Sequence, residues 1–189
     1  MMLVSNIIEL TKNKLEIYEK NFESHNLPSW DELPEIGLYM DQVIILMNKY
    51  LGLFYGENMG DKFITPSIIN NYVKLKVIPS PVKKKYSRTH LAFIIMVCIL
   101  KQCLNISVIQ RIIPVDLTED ELKAFYDTFR QYEKRITDEN TARIKDAYLK
   151  KEASEKDFKS IMRELALESA LSANIFKIFT DIFTPPEKE

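Results

Sequence analysis

Residues 64–91, with the sequence ITPSIINNYVKLKVIPSPVKKKYSRTHL, constrain the fold of this chain more than any other stretch. They hold two helix starts, at Thr65 and Ser87, separated by a turn that Pro79 and Pro81 bracket. Thr65 precedes a proline, which fits the first position of a helix, and its hydroxyl can cap that helix. The prolines of the turn cannot continue a helical run. The stretch therefore predicts a short helix, an extended turn and a second helix.

The short helix after Thr65 has an apolar side and a polar side. Its apolar side comprises Ile68, Ile69 and Tyr72, with Val73 or Leu75 at the edge. Its polar side comprises Ser67, Asn70, Asn71 and Lys74. Asparagine can pair with the edge of adenine through two hydrogen bonds, and lysine can contact guanine or phosphate. The polar side is thus either an ordinary solvated surface or a surface that reads DNA bases.

Positive charge is concentrated in and around this stretch. Lys83, Lys84 and Lys85 follow the turn, and no Asp or Glu lies between Lys62 and Val115. Nine of the 26 basic residues fall there, and the remaining 17 face 27 acidic residues elsewhere, a net charge of −10. A basic segment in an acidic protein is an electrostatic footprint for a polyanion, and the alternative is chance clustering. A lysine loop beside a polar helix suits a wing that contacts phosphates.

The motifs LYMDQV, TPSIINNYVK, SPVKKKYS and HLAFIIMVCILKQ resemble a bacterial family, domain of unknown function eighteen-thirty-six, usually described as MerR-like transcription factors. The resemblance covers roughly residues 33–113. It implies a winged helix-turn-helix whose recognition helix, Thr65–Leu75, enters the major groove of DNA. Ser67, Asn70 and Asn71 match positions that contact DNA in the MerR pattern. Lys76 stands where MerR proteins commonly have a helix-ending glycine, so this turn must close without one.

The flanking sequence predicts further helices. Residues 3–25 have an amphipathic pattern, and Trp30 should pin the following linker to the core. A helix is expected from about Glu35 to Gly52, with Tyr39, Val43, Leu46, Met47 and Tyr50 on its inner face. Residues 52–63 hold three of the four glycines and predict a flexible loop. Residues 87–103 form an almost wholly apolar helix that should be central to the core, and residues 106–113 a short closing one.

Three helices are expected after Leu117. Thr118 and Glu121 form a capping box for the first, and the second should run from Asp138 to Lys151. The third follows Ser154, and its apolar residues cover more than half of its circumference. That is more than a lone surface helix would expose, so it requires a partner. The partner is either the N-terminal helix or a second subunit, and the alternative is ordinary burial in the core of the same chain.

Several functional classes are not indicated by the sequence. It lacks a convincing signal peptide and any membrane-spanning stretch, so we expect a cytoplasmic protein without membrane contact. His25 and His90 are the only histidines, and no GxSxG, HExxH or Walker-type motif is present, so we expect neither an enzyme nor a cofactor. Cys98 and Cys103 should be two buried apolar residues, with a metal- or redox-sensing pair as the alternative. No metal site is expected.

The sequence as a whole predicts an all-α protein with a MerR-like winged helix-turn-helix and a small β wing. We expect residues 1–32 to form an N-terminal helix and linker, residues 33–115 the DNA-binding domain, and residues 116–189 a dimerisation or regulatory region. The predicted function is sequence-specific binding of double-stranded DNA by a homodimeric transcriptional regulator. The predicted DNA contacts are Ser67, Asn70, Asn71, Lys74, Lys83, Lys84, Lys85, Tyr86 and Arg88. The competing hypothesis is a protein-interaction module that uses the basic patch and the apolar C-terminal helices.

Overall fold

The computed structural model describes residues 13, 16, 17, 20–22, 24–55, 64–149 and 155–186. Within these residues the α-helices are α1 (Met40–Tyr55), α2 (Pro66–Lys74), α3 (Arg88–Leu100), α4 (Ile106–Ile112), α5 (Glu119–Leu149) and α6 (Glu155–Phe183). A single 3-10 turn covers Trp30–Glu32. The described positions between 13 and 24 are helical, and His25 is not; the other positions of the expected N-terminal helix lie outside the described residues.

The all-α expectation is confirmed, because the described residues contain no β-strand. Two isolated antiparallel bridges are present, one between Leu38 and Tyr86 and the other between Val82 and Lys85. The second bridge closes a turn around Lys83 and Lys84. The small β wing expected from the sequence is therefore not a sheet in the described residues but a single hairpin turn beside one bridge.

The chain divides into two compact units, residues 27–131 with 180–189, and residues 1–26 with 132–179. In the first unit α1 packs against both α2 and α3. In the second, the Arg143 guanidinium on α5 pairs with the Glu168 carboxylate on α6 at 3.0 Å. This division differs from the three segments expected from the sequence. The start of α5 belongs to the first unit, since Leu122 and Tyr126 are fully buried in its core.

Helix α3 is the centre of the first unit, as its almost wholly apolar sequence predicted. Every residue from His90 to Cys98 is buried. Trp30 is also buried, and its ring meets that of Tyr126 edge to face at 6.3 Å, which confirms that it pins the linker. Cys103 is exposed, so the expectation of two buried cysteines holds only for Cys98, where burial raises the thiol pKa to about 12.

Several helix boundaries differ from those expected. Helix α1 begins at Met40, not near Glu35, because Leu38 is held in its bridge and the Gln42 side chain accepts the N–H of Tyr39 at 2.9 Å. It continues through Gly52 to Tyr55, so the expected loop starts later, and residues 56–63 lie outside the described part of the chain.

Helix α5 is continuous where a break before Asp138 was expected. Ion pairs one helical turn apart span the expected break, between Lys134 and Asp138 and between Arg135 and Glu139. Pairs with this spacing support a polar helix. The capping box of Thr118 and Glu121 at the start of α5 is confirmed, with the Glu121 carboxylate 2.8 Å from the N–H of Thr118. None of the described helices combines the length and hydropathy needed to cross a bilayer.

Candidate nucleic-acid interface

Helix α2 is built as its sequence predicts. The Thr65 hydroxyl accepts the N–H of Ile68 at 3.3 Å, and Pro66 occupies the first helical position. Ile69 and Tyr72 are buried on the inner side. Burial raises the pKa of the Tyr72 phenol to about 12. These anchors fix which side of the helix faces outward, because residues three and four apart lie on one face.

The outer side of α2 carries the four polar residues named from the sequence, and all of them are exposed: Ser67, Asn70, Asn71 and Lys74. Their spacings of three and four residues place them on one face of the helix. Hydroxyl, carboxamide and ammonium groups together provide both donors and acceptors. The face can therefore form several hydrogen bonds with a single partner surface.

The C-terminal end of α2 closes without glycine. Lys76 has a left-handed backbone with a φ of 56°, and its N–H bonds to the Val73 carbonyl at 3.0 Å. The N–H of Val77 bonds to the Tyr72 carbonyl at 3.0 Å, which completes a Schellman motif. The apolar contact that accompanies this motif is provided by Val77 and Tyr72, both buried. A second tether comes from α4, where the Gln110 carboxamide donates to the Leu75 carbonyl at 2.6 Å.

The three-lysine segment forms a tight hairpin turn, which we call the lysine turn (Val82–Lys85). Lys83 and Lys84 have φ values of 50° and 62°, and the N–H of Lys85 bonds to the Val82 carbonyl at 2.9 Å. Positive φ at both central residues is the signature of a type I′ turn, which favours Asn-Gly because other side chains are strained there. Two lysines thus occupy positions that are costly for lysine.

His90 links the two residues that flank the lysine turn, Ser80 and Ser87. Its Nδ1 accepts the N–H of Ser87 at 3.1 Å, and its Nε2 lies 3.2 Å from the Ser80 carbonyl. Since Nδ1 accepts, Nε2 carries the hydrogen and donates to Ser80. This is a capping box with histidine in place of the usual Glu or Gln. Burial lowers the pKa of His90, against the opposing effect of the bond to Ser80, so the neutral ring is favoured.

Tyr86 and Arg88 do not belong to the exposed surface, and we remove both from the candidate interface. Tyr86 is buried and bonded through its backbone to Leu38. The Arg88 side chain is largely enclosed: its Nε donates to the Leu33 carbonyl at 3.0 Å, and its guanidinium pairs with Glu35 at 3.3 Å. Both side chains are directed to internal contacts, because segments distant in sequence pack against them.

The lysines of the candidate interface have no ion-pair partner in the described residues. Five lysines in this part of the chain are exposed: Lys74, Lys76, Lys83, Lys84 and Lys85. Within the described residues none of them forms an ion pair, whereas lysines and arginines of α5 pair with acidic neighbours. The positive potential at the lysine turn and at the end of α2 is therefore available to an anionic partner.

The sequence leaves His90 as either a phosphate neighbour or a helix-terminus residue, and the structure shows the second, with His90 three residues after the capping Ser87 and accepting its N–H. Sequence reasoning missed two other residues that shape this surface. Tyr39 was expected inside α1 but is exposed, with its ring 5.4 Å from the Lys85 ammonium. Gln110 had no local signal, because its bond to Leu75 joins residues far apart in the chain.

These features define an all-α protein with an exposed polar helix followed in the chain by a strained lysine turn. The chain belongs to the family described as Domain of unknown function (DUF1836), whose model matches residues 28–134. This match confirms the family resemblance seen in the sequence, and it covers α1 to α4 and the first half of α5. No curated protein matches the chain. No solved structure matches it either.

Proposed function

We propose that this protein binds double-stranded DNA sequence-specifically as a transcriptional regulator. The observation that carries the proposal is the combination of an exposed donor-and-acceptor face on α2 with exposed lysines that have no ion-pair partner in the described residues. In this role the α2 face reads base edges in the major groove, where each base pair presents a distinct pattern. The lysines contact phosphates and supply affinity that does not depend on sequence.

The proposed architecture is a MerR-like winged helix-turn-helix. Helices α1 and α2 form the helix pair, and α2 (with its caps at Thr65 and Leu75) is the recognition helix. The lysine turn takes the place of the wing. Support comes from the rigid attachment of both reading elements: the Schellman motif and Gln110 fix the end of α2, and His90 fixes the base of the lysine turn.

The test of base reading starts with selection of bound fragments from random DNA by the purified full-length protein. Asn71→Ala is then compared with wild type on the selected site and on random DNA. Loss of a bidentate contact should cost about 1–3 kcal/mol on the selected site and relax the preference at one base position. Equal weakening on both DNAs would contradict base reading by this residue. Absence of any selected sequence would overturn the proposal.

The lysine turn is tested by the salt dependence of binding. Replacing Lys83, Lys84 and Lys85 together by Ala should weaken binding to all DNA about equally. The slope of log affinity against log salt should fall by up to ~0.9 for each lost phosphate contact. The matched control replaces three lysines outside the basic segment, Lys134, Lys145 and Lys177, which changes the net charge by the same amount. An equal loss of slope in both variants would show that net charge alone, not this turn, supports binding.

We further propose that the protein acts as a homodimer through α6. Leu167, Leu171, Ile175 and Ile178 recur at spacings of three and four and are exposed. A stripe of this kind suits helix pairing, and two-fold pairing lets one reading helix meet each half of a near-palindromic site. The same exposed stripe favours the alternative function, a protein-interaction module whose basic surface docks an acidic partner. Dependence of binding on base sequence separates the two.

A further inference from the structure

The segment that precedes α1 lies directly against the lysine turn. Leu38 and Tyr86 exchange two backbone hydrogen bonds of 2.9 Å each. A Cβ placed on Gly37 would lie 3.0 Å from the Cβ of Lys85. The Lys85 ammonium is 5.4 Å from the centre of the Tyr39 ring. The side chain of Lys85 therefore runs past Gly37 to Tyr39. The Lys85 ammonium and the Tyr39 ring lie side by side on the surface.

The surface around Lys85 combines positive charge with exposed apolar and aromatic side chains. Tyr39 is 53% exposed, although it immediately precedes a helix that packs into the core. Ile36 and Val82, one in each of the two paired segments, are 73% and 69% exposed. Exposed apolar side chains beside cations can contact the deoxyribose rings and phosphates of DNA, or alternatively the headgroup region of a membrane.

The observations favour DNA as the occupant. A membrane-binding surface of this kind requires a broad apolar face, whereas here two aliphatic side chains and one ring surround the lysines. The phenol hydroxyl is a hydrogen-bond donor of the type that proteins use on phosphate oxygens. The cation over the ring also holds its orientation, which lowers the entropy lost when the hydroxyl binds.

We propose that Tyr39 contacts the DNA backbone, with its hydroxyl on a phosphate next to the one bound by Lys85. The missing side chain at Gly37 allows Lys85 to reach this position. The inference rests on the proposed DNA binding and adds a contact that carries no charge. Its signature follows from that chemistry. Loss of the Tyr39 hydroxyl lowers affinity without changing the salt dependence, because no counterion is released by a neutral donor.

The experiment measures binding of Tyr39→Phe and Lys85→Ala to the selected duplex and to random duplex by fluorescence anisotropy across a salt series. Tyr39→Phe keeps the ring, so folding is preserved. It should weaken binding to both DNAs roughly five- to twenty-fold at an unchanged salt slope, while Lys85→Ala lowers the slope by ~0.9. The matched control is Tyr132→Phe, since Tyr132 is 58% exposed and has the Arg135 guanidinium 5.8 Å from its ring.

The outcomes are distinguishable. If wild type fails to bind DNA, the proposed function fails. If wild type binds and Tyr39→Phe binds within twofold of it, the function stands and the Tyr39 contact is overturned. A loss that is equal in Tyr132→Phe also overturns it. In a parallel arm, vesicles with anionic headgroups are offered to both proteins. One outcome would assign the surface to a membrane instead. In it, wild type binds the vesicles and Tyr39→Phe does not, while the two proteins bind DNA equally.

Gly37→Ala provides a second variant that leaves the tyrosine intact. The added methyl group would meet the Cβ of Lys85 at 3.0 Å, which is tighter than an ordinary contact. Lys85 must then shift relative to Gly37 by a few tenths of an ångström. We expect weaker binding to both DNAs and a smaller salt slope, in the same direction as Lys85→Ala but by less. Wild-type affinity and slope in this variant would contradict the positioning of Lys85 by Gly37.

Discussion

Lys76 has a left-handed backbone conformation that its residue type does not predict. The end of α2 needs a left-handed residue, and a residue with a Cβ pays roughly 1–2 kcal/mol for that backbone. The Schellman hydrogen bonds of Lys76 and Val77 and the burial of Tyr72 hold the conformation in place. Lysine at this position adds an exposed charge at the end of the candidate recognition helix.

Replacing Lys76 by Gly should stabilise the protein. Relief of the left-handed strain, less the extra entropy of glycine in the unfolded chain, leaves a gain of about 0.5–1 kcal/mol. Lys74→Gly is the matched control, since Lys74 has a helical backbone and the change should cost about 1 kcal/mol. Urea unfolding of the two variants measures both effects. Destabilisation by Lys76→Gly would contradict the strain at this position.

His90 is the second residue with a distinct energetic signature. In the folded protein burial lowers its pKa below the ordinary value of 6.5, whereas in the unfolded chain it keeps that value. The unfolded state therefore binds the proton more readily, and stability rises with pH through this window. The contribution is complete above about pH 6.5 and is lost as the pH falls toward the lowered pKa. Protonation also removes the acceptor that Nδ1 offers to Ser87.

We expect His90→Gln to lose less stability than wild type when the pH falls from about 7.5 to about 5.5. Glutamine can accept the Ser87 N–H but does not titrate. His25 also has a lowered pKa from burial and from Lys134, so His25→Gln is measured beside it. The pKa values of Glu32 and Glu121 are lowered from 4.5, so these carboxylates titrate below the window. Urea unfolding at both pH values measures the loss of stability in each protein. Equal losses in wild type and His90→Gln would contradict the assignment of this pH dependence to His90.

At the scale of elements, the lysine turn combines strain with charge. Lys83 and Lys84 occupy positions where Asn and Gly are favoured, and strained backbone is often found at functional sites. In the proposed function, lysine at both positions lowers stability and contributes to DNA binding. The same logic predicts a trade-off between stability and affinity in this one element.

The double variant Lys83→Asn/Lys84→Gly should raise the free energy of unfolding by roughly 1 kcal/mol and weaken DNA binding at the same time. The salt slope should fall by up to ~1.8, since two phosphate contacts are removed. Lys134→Asn/Lys145→Gly removes the same charge from α5 and should lower stability, because glycine is costly within a helix. A double variant of the turn that is less stable than wild type would contradict the type I′ geometry.

Element starts were predictable where the signal is local. Thr65, Ser87 and Thr118 each begin a helix as expected, because a cap depends on residues three positions away. The outer face of α2 followed from helical periodicity alone. The start of α1 was not predictable in this way, because it depends on a bridge between Leu38 and Tyr86, which are far apart in the sequence.

The misassigned site residues have the same physical origin. Tyr86 and Arg88 stand beside the lysines in sequence, and proximity suggested a shared role. Their surroundings are set by segments about fifty residues earlier, through Leu33, Trp30 and Leu38. Periodicity and composition carry no information about such contacts, so the sequence placed the charge correctly but not the direction of each side chain.

At the scale of the whole molecule, the basic residues and the exposed apolar stripe fall on different segments of the chain. Acidic residues are absent between Lys62 and Val115, while the exposed apolar stripe lies on α6. In the proposed function, the acidic remainder of the chain would repel DNA, and the basic segment would be the part that approaches it.

We expect full-length protein at micromolar concentration to have twice the 22.1 kDa mass of one chain. Leu171→Asp places a charge in the exposed stripe of α6 and should yield monomers. Monomers should bind the selected site more weakly, because a second recognition helix is no longer held at a high effective concentration beside the first. Ala173→Asp adds the same charge on the other side of the helix and should leave the mass unchanged. Light scattering of the three proteins measures this. A monomeric wild type would contradict the dimer.

The lysine turn has a final consequence for proteolysis. Three consecutive lysines at an exposed loop tip would ordinarily be an immediate site for trypsin. A protease needs an extended substrate, however, and here the chain is folded back on itself and fastened to His90 through Ser80 and Ser87. Cutting must wait for this part of the chain to open. The rate of tryptic cleavage after these lysines thus reports the local opening equilibrium, and bound DNA that shields the turn would slow it in proportion to occupancy.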